Sequence, residues 1–94
     1  MNIHFIRNIQ FTRLIKINGR LREFNFRKLN GAQEGFFSVD VSDDRGNRLM
    51  FTMQRQQGRY TLLPSSQTPD WIVDQEGELA EHIETELRTI GYTG

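Results

Sequence analysis

The 94-residue chain contains no cysteine. That removes disulfide staples, thiolate catalysis and cysteine-ligated zinc together, and it suits a reducing compartment. No apolar run approaches the roughly 20 residues that span a bilayer. The N-terminus carries Ile3, Phe5, Ile6, Ile9 and Phe11, but Arg7, Asn8 and Gln10 interrupt them. A signal peptide needs an unbroken apolar centre and a small-residue cleavage site, and neither is present. The expectation is a cytoplasmic protein. Glycine-rich phosphate loops are also missing: Gly19, Gly31, Gly35, Gly46 and Gly58 stand alone, each where a turn is expected. Ser38, Ser42, Ser65 and Ser66 lack the Gly-x-Ser-x-Gly context of a nucleophile elbow.

What is there is polarised. Residues 1–30 hold Arg7, Arg13, Lys16, Arg20, Arg22, Arg27 and Lys28 against the single acid Glu23. Residues 74–94 hold Asp74, Glu76, Glu78, Glu81, Glu84 and Glu86 against the single base Arg88. The formal net charge is zero, so the balance conceals a basic and an acidic half. Such a surface attracts a charged partner or pairs with a second copy of itself. Seven Phe, one Trp and two Tyr supply enough ring area for the core of one domain over residues 1–94.

The hydrophobic period changes along the chain. Apolar residues alternate through residue 63, then recur every three or four after residue 74. Residues 9–17 read as a strand, and Asn18-Gly19 is a two-residue hairpin turn because both positions suit positive φ. The return strand, residues 20–29, then sets Phe11 opposite Phe26, Arg13 opposite Phe24 and Ile15 opposite Arg22. That last pair is untidy on a buried face, and residues 1–10 are alternatively a loosely held arm.

Phe37, Val39 and Val41 share one face, as do Leu49, Phe51 and Met53. The Asp43-Asp44-Arg45-Gly46 turn pairs Val41 with Leu49 and Val39 with Phe51. A further turn at Gln56-Gln57-Gly58 is expected to set Met53 opposite Tyr60 and Phe51 opposite Leu62. Pro64 ends the sheet, which occupies residues 11–63, because it cannot donate to a ladder. Trp71-Ile72-Val73 is expected to plug the core edge. Asp74 is the expected N-cap of a helix over residues 75–90, with Leu79, Ala80, Ile83, Leu87 and Ile90 inward and Gly91 as its C-terminal stop. The predicted fold class is α+β: an antiparallel β-meander of four to five strands with one C-terminal α-helix packed on one face.

Candidate chemistry is thin. Glu78, His82 and Glu86 lie four residues apart on the helix, a spacing that metal ligands use. With no second element supplying ligands, the stripe reads as a solvated acidic face. His4 has no companion nearby in sequence. Asp40, Asp43 and Asp44 cluster at a hairpin without the EF-hand pattern and read as turn chemistry. The expectation is therefore no enzyme, no metal and no cofactor.

Two functional readings remain. The first is a small protein–protein interaction module, with a second copy as one candidate partner, using Arg22, Arg27, Lys28 and Met50 beside an uncovered sheet face and open edges. The alternative is single-stranded nucleic-acid binding, because Arg22, Phe24, Phe26, Arg27 and Lys28 interleave cations with rings. Whirly and PUR-type domains bind single strands with a similar sheet-and-helix architecture, but none of their motifs stands in this chain. Against it, Phe24 and Phe26 are expected under the helix, and an acidic helix repels phosphate.

Overall fold

The computed structural model describes residues 9–29, 35–65 and 67–91. The expectation of a loose N-terminal arm falls largely on residues 1–8, outside the described residues, as does His4. Five strands form one antiparallel sheet in the order β1-β2-β3-β4-β5. They are β1 (Gln10–Ile17), β2 (Arg20–Lys28), β3 (Phe36–Ser42), β4 (Arg48–Gln56) and β5 (Arg59–Leu62). Two helices follow, α1 (Asp70–Val73) and α2 (Glu76–Thr89). The α+β meander with a C-terminal helix on one face is thus the observed architecture, and the sheet curls towards a half-barrel.

Local chemistry explains the β1–β2 and β3–β4 reversals. Asn18 and Gly19 have φ of 52° and 80°, the paired positive values of a type I′ turn. The register that follows is the predicted one, Phe11 opposite Phe26 and Ile15 opposite Arg22. Asp43 closes the next loop: its Oδ1 accepts from the amides of Arg45 (2.9 Å) and Asn47 (2.8 Å). Val41 again faces Leu49, and Val39 faces Phe51.

The third hairpin departs from expectation. Met53 faces Leu62 and Arg55 faces Tyr60, two residues away from the predicted pairing. The loop is only Gln57-Gly58, a second tight turn with φ of 52° and 80°. Glutamine seldom occupies the left-handed region, so the sequence does not advertise the turn. A shift of two preserves the alternation, so the same side chains still point inward.

One face carries the core. Phe24, Phe26, Phe37, Val39, Val41, Met53, Ile72, Leu79 and Ile83 are almost fully buried, with Phe51 and Tyr60 close behind. Rings run across the sheet. Phe11 stacks on Phe26 at 4.5 Å and meets Phe37 edge-on at 6.3 Å, and Phe37 meets Tyr60 at 5.6 Å. Leu87, expected inside, is only partly buried at the far end of the helix. No helix among the described residues is long and apolar enough to cross a membrane.

Asp74 does not cap α2. It ends the short helix α1, and Gln75 occupies the N-cap of α2 without a side-chain hydrogen bond. Trp71 and Ile72 plug the core as part of α1, Ile72 buried and Trp71 half-buried, but Val73, expected with them, is exposed. Because Phe37 joins two rings across the sheet, Phe37→Ala should lower the unfolding free energy by about 3–5 kcal/mol in urea titrations, a large-to-small core loss.

Candidate interaction surface

Strand alternation divides the four predicted partner-binding residues between two faces. Arg22 and Lys28 are even-numbered in β2, like Phe24 and Phe26, so they sit on the helix side. Lys28 is buried and is not a free charge. Arg22 lies with its guanidinium 4.7 Å from the Trp71 ring centroid and donates to Asp44 Oδ1 at 2.6 Å. That contact resolves the untidy Ile15–Arg22 pair: Ile15 is buried, while Arg22 reaches out under a tryptophan lid. Arg27 and Met50 alone reach the open face, and both are exposed. They occupy neighbouring rows, Arg27 opposite Ser38 and Met50 opposite Asp40.

Much of the basic half is neutralised inside the molecule. Arg13 on β1 donates to Glu86 Oε1 on α2 at 2.6 Å and stands over the Phe11 ring at 4.8 Å. Arg20 and Arg22 share Asp44. Glu86 is therefore directed at Arg13, leaving His82 paired with Glu78 at 3.7 Å. The three aspartates of the β3–β4 region are likewise divided. Asp40 takes Arg48 and Asn25, Asp43 holds loop amides, and Asp44 takes the two arginines. Among the described residues, no three His, Asp or Glu side chains are grouped to hold a metal.

The open face carries a polar row across four strands. Thr12 Oγ1 donates to Asn25 Oδ1 at 2.7 Å, Asn25 Nδ2 donates to Asp40 Oδ1 at 3.0 Å, and Arg48 pairs with Asp40. This row floors a shallow open depression of about 450 Å³, with Arg27 and Ser38 at its rim. These donors and acceptors satisfy one another. Around them stand isolated apolar side chains: Leu14 is 60% exposed, Leu21 65% and Met50 68%. Leu14 faces Glu23 and Leu21 faces Lys16, so the two leucines are diagonal neighbours on the β1–β2 hairpin.

The two sheet edges differ. In β5, the Leu63 N–H donates to Thr52 O at 2.9 Å, so the alternate amide, Leu62, points outward. It is not bare: Leu62 N–H donates to Glu76 Oε2 in the first turn of α2 at 2.7 Å. At β1, Lys28 N–H donates to Ile9 O at 2.9 Å, which sets the odd residues of β1 towards β2. The backbone groups of Gln10, Thr12, Leu14 and Lys16 therefore point away from the sheet. Sequence reasoning missed Leu14 and Leu21. Leu14 is opposite in parity to the buried Ile15 and Ile17 of β1, and Leu21 to the buried Phe24 and Phe26 of β2; that was the available signal.

Comparison with protein-family models, curated proteins and solved structures finds no match. The surface must be read from its own chemistry.

Two measurements check this electrostatic account. A double-mutant cycle with Arg13→Ala and Glu86→Ala should give a coupling of about 0.5–1 kcal/mol that shrinks in high salt, because the pair is partly exposed. Desolvation pushes the Asp43 carboxyl up, but hydrogen bonds from the Asn47 and Arg45 amides and the Asn47 side chain, with the Arg45 charge, together hold it below 3.8. A depressed folded-state value means its contribution is present above the unfolded-state value and lost as pH falls through the folded one. Carboxyl-carbon NMR should show Asp43 titrating below 3.8, with the loop amides of Arg45 and Asn47 shifting in step.

Proposed function

We propose that this protein is a small non-enzymatic interaction module that binds a protein partner at β1 and the adjoining open face of its sheet. One observation carries the reading. Of the two edges, β5 has an outward amide taken by Glu76, while β1 runs eight residues without proline and with Leu14 and Leu21 exposed beside it. An edge that has no partner strand among the described residues is a ready template for another strand, and exposed side chains alongside it give the docking its specificity. Arg27 and Met50 extend the same face. A cytoplasmic setting belongs to this reading, since a cysteine-free chain suits a reducing compartment.

Single-stranded nucleic acid is the competing ligand. Base stacking needs accessible rings, and Phe24, Phe26 and Phe37 are turned into the core. Arg13, Arg20 and Arg22 already face carboxylates. Both features favour a protein partner.

The test is an amide spectrum of isotopically labelled protein, alone and in cell extract, with short oligonucleotides added separately. Perturbation of Gln10, Thr12, Leu14 and Lys16 and of the Met50 row, reversed by Leu14→Glu, is the expected result. Perturbation confined to α2, or salt-sensitive retention of oligonucleotides at micromolar protein, would overturn it.

A further inference from the structure

We infer that the occupant of the β1 edge is a second copy of this chain, joined antiparallel about a two-fold axis at Leu14. The inference rests on the interaction-module reading and names its partner.

The axis follows from hydrogen-bond parity and charge. The outward backbone groups belong to the even residues of β1, so a strand-to-strand junction exchanges hydrogen bonds between even positions. An axis at Leu14 sets Leu14 against its own copy, Thr12 against Lys16, and Arg13 against Ile15. No like charges face each other directly. An axis at Arg13 or at Lys16 would oppose two cations, which destabilises a sheet pair. Arg13 and Lys16 thus disfavour the registers centred on themselves, and of the remaining axes the one at Leu14 sets the exposed leucine against its own copy.

The apolar side chains agree. Leu14 would meet its copy across the axis, with the diagonal Leu21 of each protomer beside them, covering the most exposed apolar group on the hairpin. The partner's chemistry is also constrained by charge. Of the two cations on β1, Arg13 is occupied by Glu86, so an acidic foreign strand would find only Lys16 unpaired. A self-complementary strand needs no such match. Both helices would lie on the same side of a continuous ten-stranded sheet. An edge-to-edge junction covers less than the roughly 1,200–2,000 Å² of a standard interface, so a reversible dimer is expected.

Sedimentation over a protein-concentration series reads the wild type and Leu14→Lys, which sets two cations on the axis. Cross-linking uses Leu14→Cys, a clean probe because the chain has no other cysteine. Directly opposed residues of a hydrogen-bonded pair lie about 5.5 Å apart, within disulfide reach. The expected results are a concentration-dependent dimer, a dissociation constant raised roughly tenfold or more by Leu14→Lys, and rapid disulfide dimerisation of Leu14→Cys. Arg59→Cys, exposed on the opposite edge strand, should cross-link slowly. A wild type that stays monomeric to about 1 mM overturns the inference. So does a dimer indifferent to Leu14→Lys with no preferential Leu14→Cys cross-link. If the purified protein is monomeric while extract still perturbs the β1 amides, the second copy is refuted and the module reading survives with a foreign partner. Loss of both signals refutes both.

Discussion

The structure depends on one helix laid across five strands and held at both margins. Leu79 and Ile83 sink fully into the core, and two glutamates on the same helix reach opposite edges of the sheet. Glu76 accepts the outward amide of Leu62 on β5, and Glu86 pairs with Arg13 on β1. Ten residues of helix rise roughly 15 Å, and five strands at their usual spacing span roughly 19 Å. Side chains of glutamate and arginine length close the difference. Burial supplies the bulk of the stabilisation, while the two carboxylates fix the direction in which the helix crosses.

That arrangement accounts for the charge asymmetry. A basic half and an acidic half in one chain suggest attraction between molecules. Here part of that attraction is satisfied within the fold: Arg13 meets the terminal helix, and Arg20 and Arg22 meet the β3–β4 loop. What remains on the open side is a mutually satisfied polar row, a solvated Arg27, and a few leucine and methionine side chains with no cover. The arrangement also makes the edges unequal. The helix comes down on the short strand β5 and takes the outward Leu62 amide, while β1 is contacted through the Arg13 side chain and its outward backbone groups meet no partner strand among the described residues. The asymmetry of the surface is thus a consequence of where the helix lands.

Much of the fold was readable from period and turn chemistry. Asn18-Gly19 and the Asp43–Gly46 loop specify their hairpins because few residue pairs tolerate the required φ values. Alternation then assigns Phe24, Phe26, Phe37, Val39, Phe51 and Met53 to one face whatever the loop details. The register of β4 against β5 was not readable, because Gln57 adopts a left-handed conformation that its identity does not announce. The span of α2 was read to within a residue, but its cap was misassigned. Asp74 has the chemistry of a cap but is used by the short helix ahead, whose existence depends on Trp71 and Ile72 packing on the sheet.

The candidate surface was harder to read than the fold. Met50 and Arg27 followed from alternation, and the same alternation should have removed Arg22 and Lys28 from that face. Local sequence determined which residues are strand, which turn, and which side of the sheet each occupies, because those follow from two-residue and four-residue patterns. Only the tertiary structure decided which charges meet, why Arg22 can lie beside a buried Ile15 under Trp71, and which sheet edge has a backbone amide taken by a helix side chain. Those outcomes hang on contacts between residues 22 and 71, 62 and 76, and 13 and 86, and no local pattern encodes such distances.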